Sequence, residues 1–102
     1  MAIALITGTT SGIGKATAET LAKEGYNLIL NGRRLDWLEK QATELANTYG
    51  IQTHLMHLDV READTVSDYI TNLPKDWKKI DVLVNNAGLA AGLGTLETGS
   101  LD

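Results

Sequence analysis

The chain has 102 residues, 43% of them hydrophobic and 22% charged, ordinary globular usage for one small domain or part of a larger one, and an argument against disorder. Nine Lys and Arg against thirteen Asp and Glu leave a net charge of −4, a poor balance for gripping a nucleic-acid backbone. There is no cysteine, so disulfide frameworks and thiolate metal sites are excluded, and no apolar run approaches the roughly 18 residues of a membrane helix, so a soluble cytoplasmic protein is expected.

Ala2 to Ile6 is a short apolar run ending at Thr7-Gly8, which reads as a strand buried on both faces. From Gly12 to Glu24 the spacing turns helical, with Ala18, Leu21 and Ala22 on one side, Ser11 as N-cap and Gly25 as stop. Leu28-Ile29-Leu30 is a second strand, closed by Asn31-Gly32. Leu35, Leu38, Ala42, Leu45, Ala46 and Tyr49 then form one apolar face of a second helix, ended by Gly50. Ile51 to Leu58 is a third strand, closed by Asp59. Ala63, Val66, Tyr69, Ile70 and Leu73 mark a third helix that Pro74 cannot extend. Ile80 to Val84 is a fourth strand, broken at Asn85-Asn86-Ala87-Gly88. Leu89 to Asp102 has no clear period and reads as loop. The order β-α-β-α-β-α-β implies right-handed crossovers and a parallel sheet, without an internal domain boundary.

The turn between the first strand and first helix is Thr7-Gly8-Thr9-Thr10-Ser11-Gly12-Ile13-Gly14. A dinucleotide's pyrophosphate needs a helix N-terminus with free N–H groups and no side chain in the way. Gly8 permits the tight exit from the strand, Gly12 lets backbone approach phosphate, and Gly14 lets helix and sheet pack closely. The hydroxyls of Thr9, Thr10 and Ser11 can add hydrogen bonds to phosphate or ribose. The alternative is a turn that serves chain geometry alone; its place inside a βαβ unit favours phosphate.

The pattern T-G-x-x-x-G-I-G resembles that of the short-chain dehydrogenase/reductase family. Asn85-Asn86-Ala87-Gly88 after strand four matches the family's N-N-A-G, and Asp59 stands at the end of strand three, where the family hydrogen-bonds adenine. The resemblance runs over essentially the whole chain. It implies a Rossmann-type doubly wound α/β sheet, here its N-terminal half with strand order 3-2-1-4, and residues 1–102 as the cofactor-binding portion of one domain.

The end of strand two separates NAD from NADP. An acid there would bind the NAD ribose and repel a 2′-phosphate; this chain has Gly32 followed by Arg33 and Arg34. Glycine leaves room and a guanidinium forks onto phosphate, so NADP is the expected cofactor. Arg33 is the principal contact, and Arg34 could instead stack on adenine. The alternative is two arginines that only solvate a helix start. Asp59 and Val60 are expected to line the adenine pocket, through the carboxylate and the backbone N–H respectively, although Asp59 could also cap the following helix. Ile13 belongs to the same cofactor-binding set. Asn86, Ala87 and Gly88 are expected along the cofactor ribose, while Asn85 ties the central strands together.

His54 and His57 lie three apart on a strand, with no Cys or third His to join them, so no metal site is expected. Trp37 and Trp77 read as helix-face and loop packing, and Lys75 to Lys79 as a solvated connection. The resemblance implies catalysis by a tyrosine with a lysine four residues later, a serine and a relay asparagine. Here Tyr26, Tyr49 and Tyr69 are followed at +4 by Leu30, Thr53 and Leu73, so no catalytic residue is assigned. The family's serine and relay asparagine fall beyond strand four, and strand four is expected to form an apolar sheet edge. The Arg33-Arg34 pair, Leu73-Pro74-x-x-Trp77 and N-N-A-G-L-A resemble the branch acting on serine and other 3-hydroxy acids. The expectation is an oxidoreductase acting on a small alcohol or carbonyl substrate, homo-oligomeric, with no nucleic-acid or membrane partner. The alternatives are a non-catalytic nucleotide-binding or interaction module, or an inactive truncated product.

Overall fold

A strand covered on both faces needs apolar side chains at successive positions, and β1 (Ile3–Thr7) has all five residues buried. There follow α1 (Gly12–Lys23), β2 (Asn27–Gly32), α2 (Leu35–Tyr49), β3 (Thr53–His57), α3 (Ala63–Thr71), a short 3-10 helix at Lys75–Trp77, and β4 (Val82–Asn85). The computed structural model describes residues 2–10 and 12–86; Ser11 as helix cap, Ala87, Gly88 and the loop reading of Leu89–Asp102 lie outside them. All strand pairs are parallel, in the order β3-β2-β1-β4. That is the Rossmann-like α/β arrangement expected from the sequence.

Alternation along β1 divides the core in two. Ile3 and Leu5 share a cluster with Ile29, Met56, Val66, Leu73 and Trp77. Ala4 and Ile6 share the other with Ala18, Ala22, Leu38, Ala42 and Leu45. Thus α3 covers one sheet face, and α1 with α2 the other. The buried positions of α1 are the small residues Gly14, Ala18 and Ala22, which bring its axis close to the sheet. Helix α2 contributes larger side chains, and full burial of Leu38 stabilises the fold by about 2 kcal/mol. Gly50 ends α2 at φ 71°, in the left-handed region, with its N–H donating to the Ala46 carbonyl.

Several boundaries differ from the sequence reading. β2 continues through Asn31 and Gly32, which pair with Met56 and His57, because the Asn31 side chain finds its hydrogen bonds inside the fold. β4 begins at Val82 and reaches Asn85, whose place opposite Thr7 is held by a side-chain hydrogen bond. Asp81 instead clips the start of β1, accepting from the Ile3 N–H at 2.9 Å through Oδ2. In α2 the expected stripe is buried only in its middle turns; Leu35 and Tyr49, in the first and last turns, are 42% and 38% exposed. Trp37 is half exposed rather than packed on a helix face. The connection before β4 is not merely solvated, since Trp77 is buried in the α3-side core, 5.3 Å from the His54 ring. Among the described residues no helix is long and apolar enough to cross a membrane.

Candidate nucleotide-binding site

In an open parallel sheet the crevice lies beyond the C-terminal strand ends, where the strand order reverses. Here β1 connects onward to β2 on one side and has β4 on the other, so the reversal falls between β1 and β4. The chain brings its glycine-rich turn and Asn85-Asn86 to that place. Thr7 Oγ1 donates to Asn85 Oδ1 at 2.8 Å inside the core, fastening the two strands as expected of Asn85. The Asn86 side chain follows at once, and its buried Nδ2 has no hydrogen-bond partner among the described residues.

The turn leaves β1 through Gly8, at φ 63°, a conformation that side chains resist. Its shape is held by a residue that sequence reasoning treated only as a strand terminator. Asn31 Oδ1 accepts from the Gly8 N–H at 3.0 Å, and Asn31 Nδ2 donates to the carbonyls of Met56 and Leu58. The Asn31 carbonyl accepts from both the N–H and the hydroxyl of Thr9. One buried side chain and its own backbone thus join the ends of β1, β2 and β3. Thr9 is consequently fully buried, and its hydroxyl proton faces Asn31 instead of a phosphate or ribose as expected. Gln41 Nε2 secures the same turn by donating to the Thr9 carbonyl at 2.8 Å.

Past the turn, Thr10 is half-buried while Gly12 and Ile13 face outward. Ile13 is 77% exposed, a large apolar side chain at the mouth of the crevice. A Cβ on Gly12 would meet nothing within 4 Å, whereas one on Gly14 would come within 1.9 Å of the Gly8 carbonyl oxygen. Gly14 therefore allows α1 to sit on the turn itself. The first turn of α1 leaves N–H groups without intrahelical acceptors, and the helix dipole favours an anion there. Open space at Gly12 beside a helix start fits a dinucleotide's phosphates.

At the end of β2, Gly32 does not leave room for a ligand as expected. Its missing Cβ would lie 3.2 Å from Leu38 Cδ2, so the glycine makes space for α2. Arg33 and Arg34 are both exposed. The Arg34 guanidinium lies 4.4 Å from the Trp37 ring centroid and 3.4 Å from the Asp36 carboxylate, so in the free chain it stacks on Trp37. At the end of β3, Arg61 hydrogen bonds from side chain and backbone hold the Asp59 carboxyl at about 2; desolvation opposes this and Arg33 adds a weaker attraction. Asp59 does not cap α3 through its side chain, since the N-cap position is Glu62, without a side-chain cap bond. The Val60 side chain belongs to the core, which confines any ligand contact there to backbone.

The two histidines diverge. His54 Nδ1 lies 2.6 Å from the Tyr69 hydroxyl, which donates to the Leu55 carbonyl; burial pushes the Tyr69 hydroxyl up to about 12. His57 Nε2 meets the Arg33 carbonyl at 3.0 Å. Leu73 and Trp77 are core residues, so their motif acts through packing.

Fold and site together define a Rossmann-like α/β protein with a glycine-rich turn at the strand-order reversal. The short chain dehydrogenase family matches residues 2–101, and the chain belongs to that family. It is 44% identical over 88 residues to serine 3-dehydrogenase of Agrobacterium fabrum, covering 86% of this chain and 34% of that protein. It is 46% identical over 89 residues to the NADP-dependent 3-hydroxy acid dehydrogenase of Schizosaccharomyces pombe, with the same coverage of each chain. Among solved structures, L-sorbose reductase of Gluconobacter frateurii, complexed with NADPH and L-sorbose, superposes with a TM-score of 0.79 at 36% identity, covering 86% of this chain and 34% of that one. The chain thus spans about a third of the length of the curated relatives it matches.

Proposed function

We propose that this chain holds NADP at the β1–α1 mouth and supplies the cofactor-binding portion of an oxidoreductase. The observation that carries the reading is the contrast within the turn: the fold requires Gly14, yet leaves open space at Gly12 beside a helix N-terminus. A phosphate fits that space. Gly12, Ile13 and Thr10 would hold the pyrophosphate region, Arg33 the 2′-phosphate, Asp59 and the Val60 backbone the adenine, and Asn86 the ribose side. NADP, when bound, supplies hydride exchange at its nicotinamide with a carbonyl or alcohol carbon. The relatives named for serine and 3-hydroxy acids support a small hydroxy-acid substrate for the whole protein. Cytoplasmic location and homo-oligomeric assembly are part of the same proposal.

Titration of the chain with NADPH and NADH, followed by nucleotide fluorescence, tests the cofactor. NADPH is expected to bind more tightly, and Arg33→Asp to shift the preference by about tenfold or more toward NADH, through a lost charge-assisted contact and an added repulsion. An unchanged ratio would remove Arg33 from the site.

The absence of any Tyr-x-x-x-Lys in the sequence favours a second reading of this chain by itself, nucleotide binding without turnover. Incubation with NADP and serine or 3-hydroxyisobutyrate is expected to give no absorbance rise at the NADPH band. A steady rise would show that these residues suffice for catalysis.

A further inference from the structure

One neighbour, Arg61, holds the Asp59 carboxylate on both oxygens. The Arg61 backbone N–H donates to Oδ1 at 2.9 Å, Arg61 Nε to both oxygens at 3.1 Å, and Nη2 to Oδ2 at 2.7 Å. Three N–H groups make these contacts, the Nε one shared between both oxygens, and they crowd the roughly four acceptor positions a carboxylate offers. The side chains are 25% exposed for Asp59 and 70% for Arg61, so the pair is open to solvent just past the end of β3. An adenine amine at Asp59 must therefore compete with the Arg61 fork for the same two oxygens.

Arg33 stands nearby. Its charge acts on the Asp59 carboxylate, and the His57 contact to its carbonyl brings the end of β2 beside the end of β3. Arg34 is engaged with Trp37 and Asp36. Arg61 and Arg33 thus both act on the Asp59 carboxylate, and a guanidinium fork suits phosphate as well as carboxylate.

We propose that Arg61 is a latch on the adenosine end of the site, closed over Asp59 in the free chain and released from it to join Arg33 when a 2′-phosphate is present. The inference rests on the NADP reading above. With a 2′-phosphate, Arg61 exchanges one charge-assisted pair for another. With a 2′-hydroxyl, any withdrawal of Arg61 to admit the adenine amine gives up the same pair without an anion in return. The residue therefore disfavours NAD as well as favouring NADP, which is specificity by penalty.

Adenosine 2′,5′-bisphosphate and 5′-AMP carry only this end of the cofactors, so calorimetric titration of the chain with each isolates the corner. In Arg61→Met the bisphosphate is expected to bind about tenfold more weakly. The monophosphate should bind about threefold more tightly, the scale of an exposed ion pair no longer in the way. Because the Arg61 side chain is exposed, the melting temperature should fall by no more than about 5 °C. A weaker bisphosphate with unchanged 5′-AMP would overturn the latch, leaving Arg61 as a plain cation and the NADP reading intact. A wild-type chain with no preference for the bisphosphate would overturn the NADP reading, and the latch with it.

Discussion

Asn31→Leu is expected to destabilise the fold by about 3 kcal/mol, because it removes three amide hydrogen bonds at about 1 kcal/mol each while keeping the volume of the side chain. The partners are the Gly8 N–H and the carbonyls of Met56 and Leu58, of which the Met56 carbonyl keeps the Leu58 N–H, and Asn31 itself is only 3% exposed. For a domain of ordinary marginal stability, that loss is a large share of the whole. Urea denaturation followed by circular dichroism measures it; a loss near zero would mean that the three strand ends hold together without the amide. Asn31→Asp separates the acceptor from the donors. Its carboxyl keeps an oxygen for the Gly8 N–H but, when ionised, faces two carbonyl oxygens. Burial and those carbonyls raise the folded-state pKa of the new group above its unfolded value, so the folded state binds the extra proton. Stability is then fullest below the unfolded pKa of about 4 and falls as pH rises toward the folded pKa. The variant should therefore denature at higher urea near pH 4 than near pH 7, relative to wild type at each pH. The opposite slope would place the carboxylate in a solvated pocket.

The alternation of strands and helices was legible because burial leaves a periodic trace. β1 lies under helices on both sides and is continuously apolar, and α2 carries its core positions at helical spacing. Parallel order followed from connections too long for hairpins. The glycine-rich turn was legible because glycines between a strand and a helix mark a tight exit and a close helix approach, which Gly8 and Gly14 make. Asn31 was not, since a polar residue next to glycine has the composition of a strand end. Only the third dimension shows that the backbone groups it satisfies come from Gly8, Met56 and Leu58, dispersed along the sequence. Arg61 was missed for a related reason: a charged residue after Asp59 is ordinary at a helix approach, and its grip on that carboxylate depends on a side-chain torsion. Gly32 shows the reverse error. A glycine beside two arginines invites a ligand, yet its neighbour is Leu38, which arrives from the next helix.

Gly14→Ala and Gly12→Ala are expected to separate folding from binding, although the same methyl is added two residues apart. At Gly14 the new carbon would stand 1.9 Å from the Gly8 carbonyl oxygen and 2.8 Å from its carbon. Both obstacles are backbone, in a turn held by Asn31 and Gln41, so relief requires α1 to move off the turn and its small-residue seam with the sheet to open. Overpacking of this kind costs about 3 kcal/mol or more, and thermal denaturation should show the chain melting well below wild type. At Gly12 the methyl meets nothing within 4 Å, and Gly12 is not among the described glycines with positive φ. Inside the first turn of a helix, alanine is favoured over glycine by about 0.5–1 kcal/mol, so Gly12→Ala should melt at or above the wild-type temperature. Its methyl nonetheless projects into the space assigned to phosphate, and NADPH affinity should fall about tenfold or more, the scale of losing a charge-assisted hydrogen bond to an anion. A stable Gly12→Ala with undiminished NADPH binding would mean that the phosphates lie elsewhere, because the fold itself gives no reason for glycine at that position.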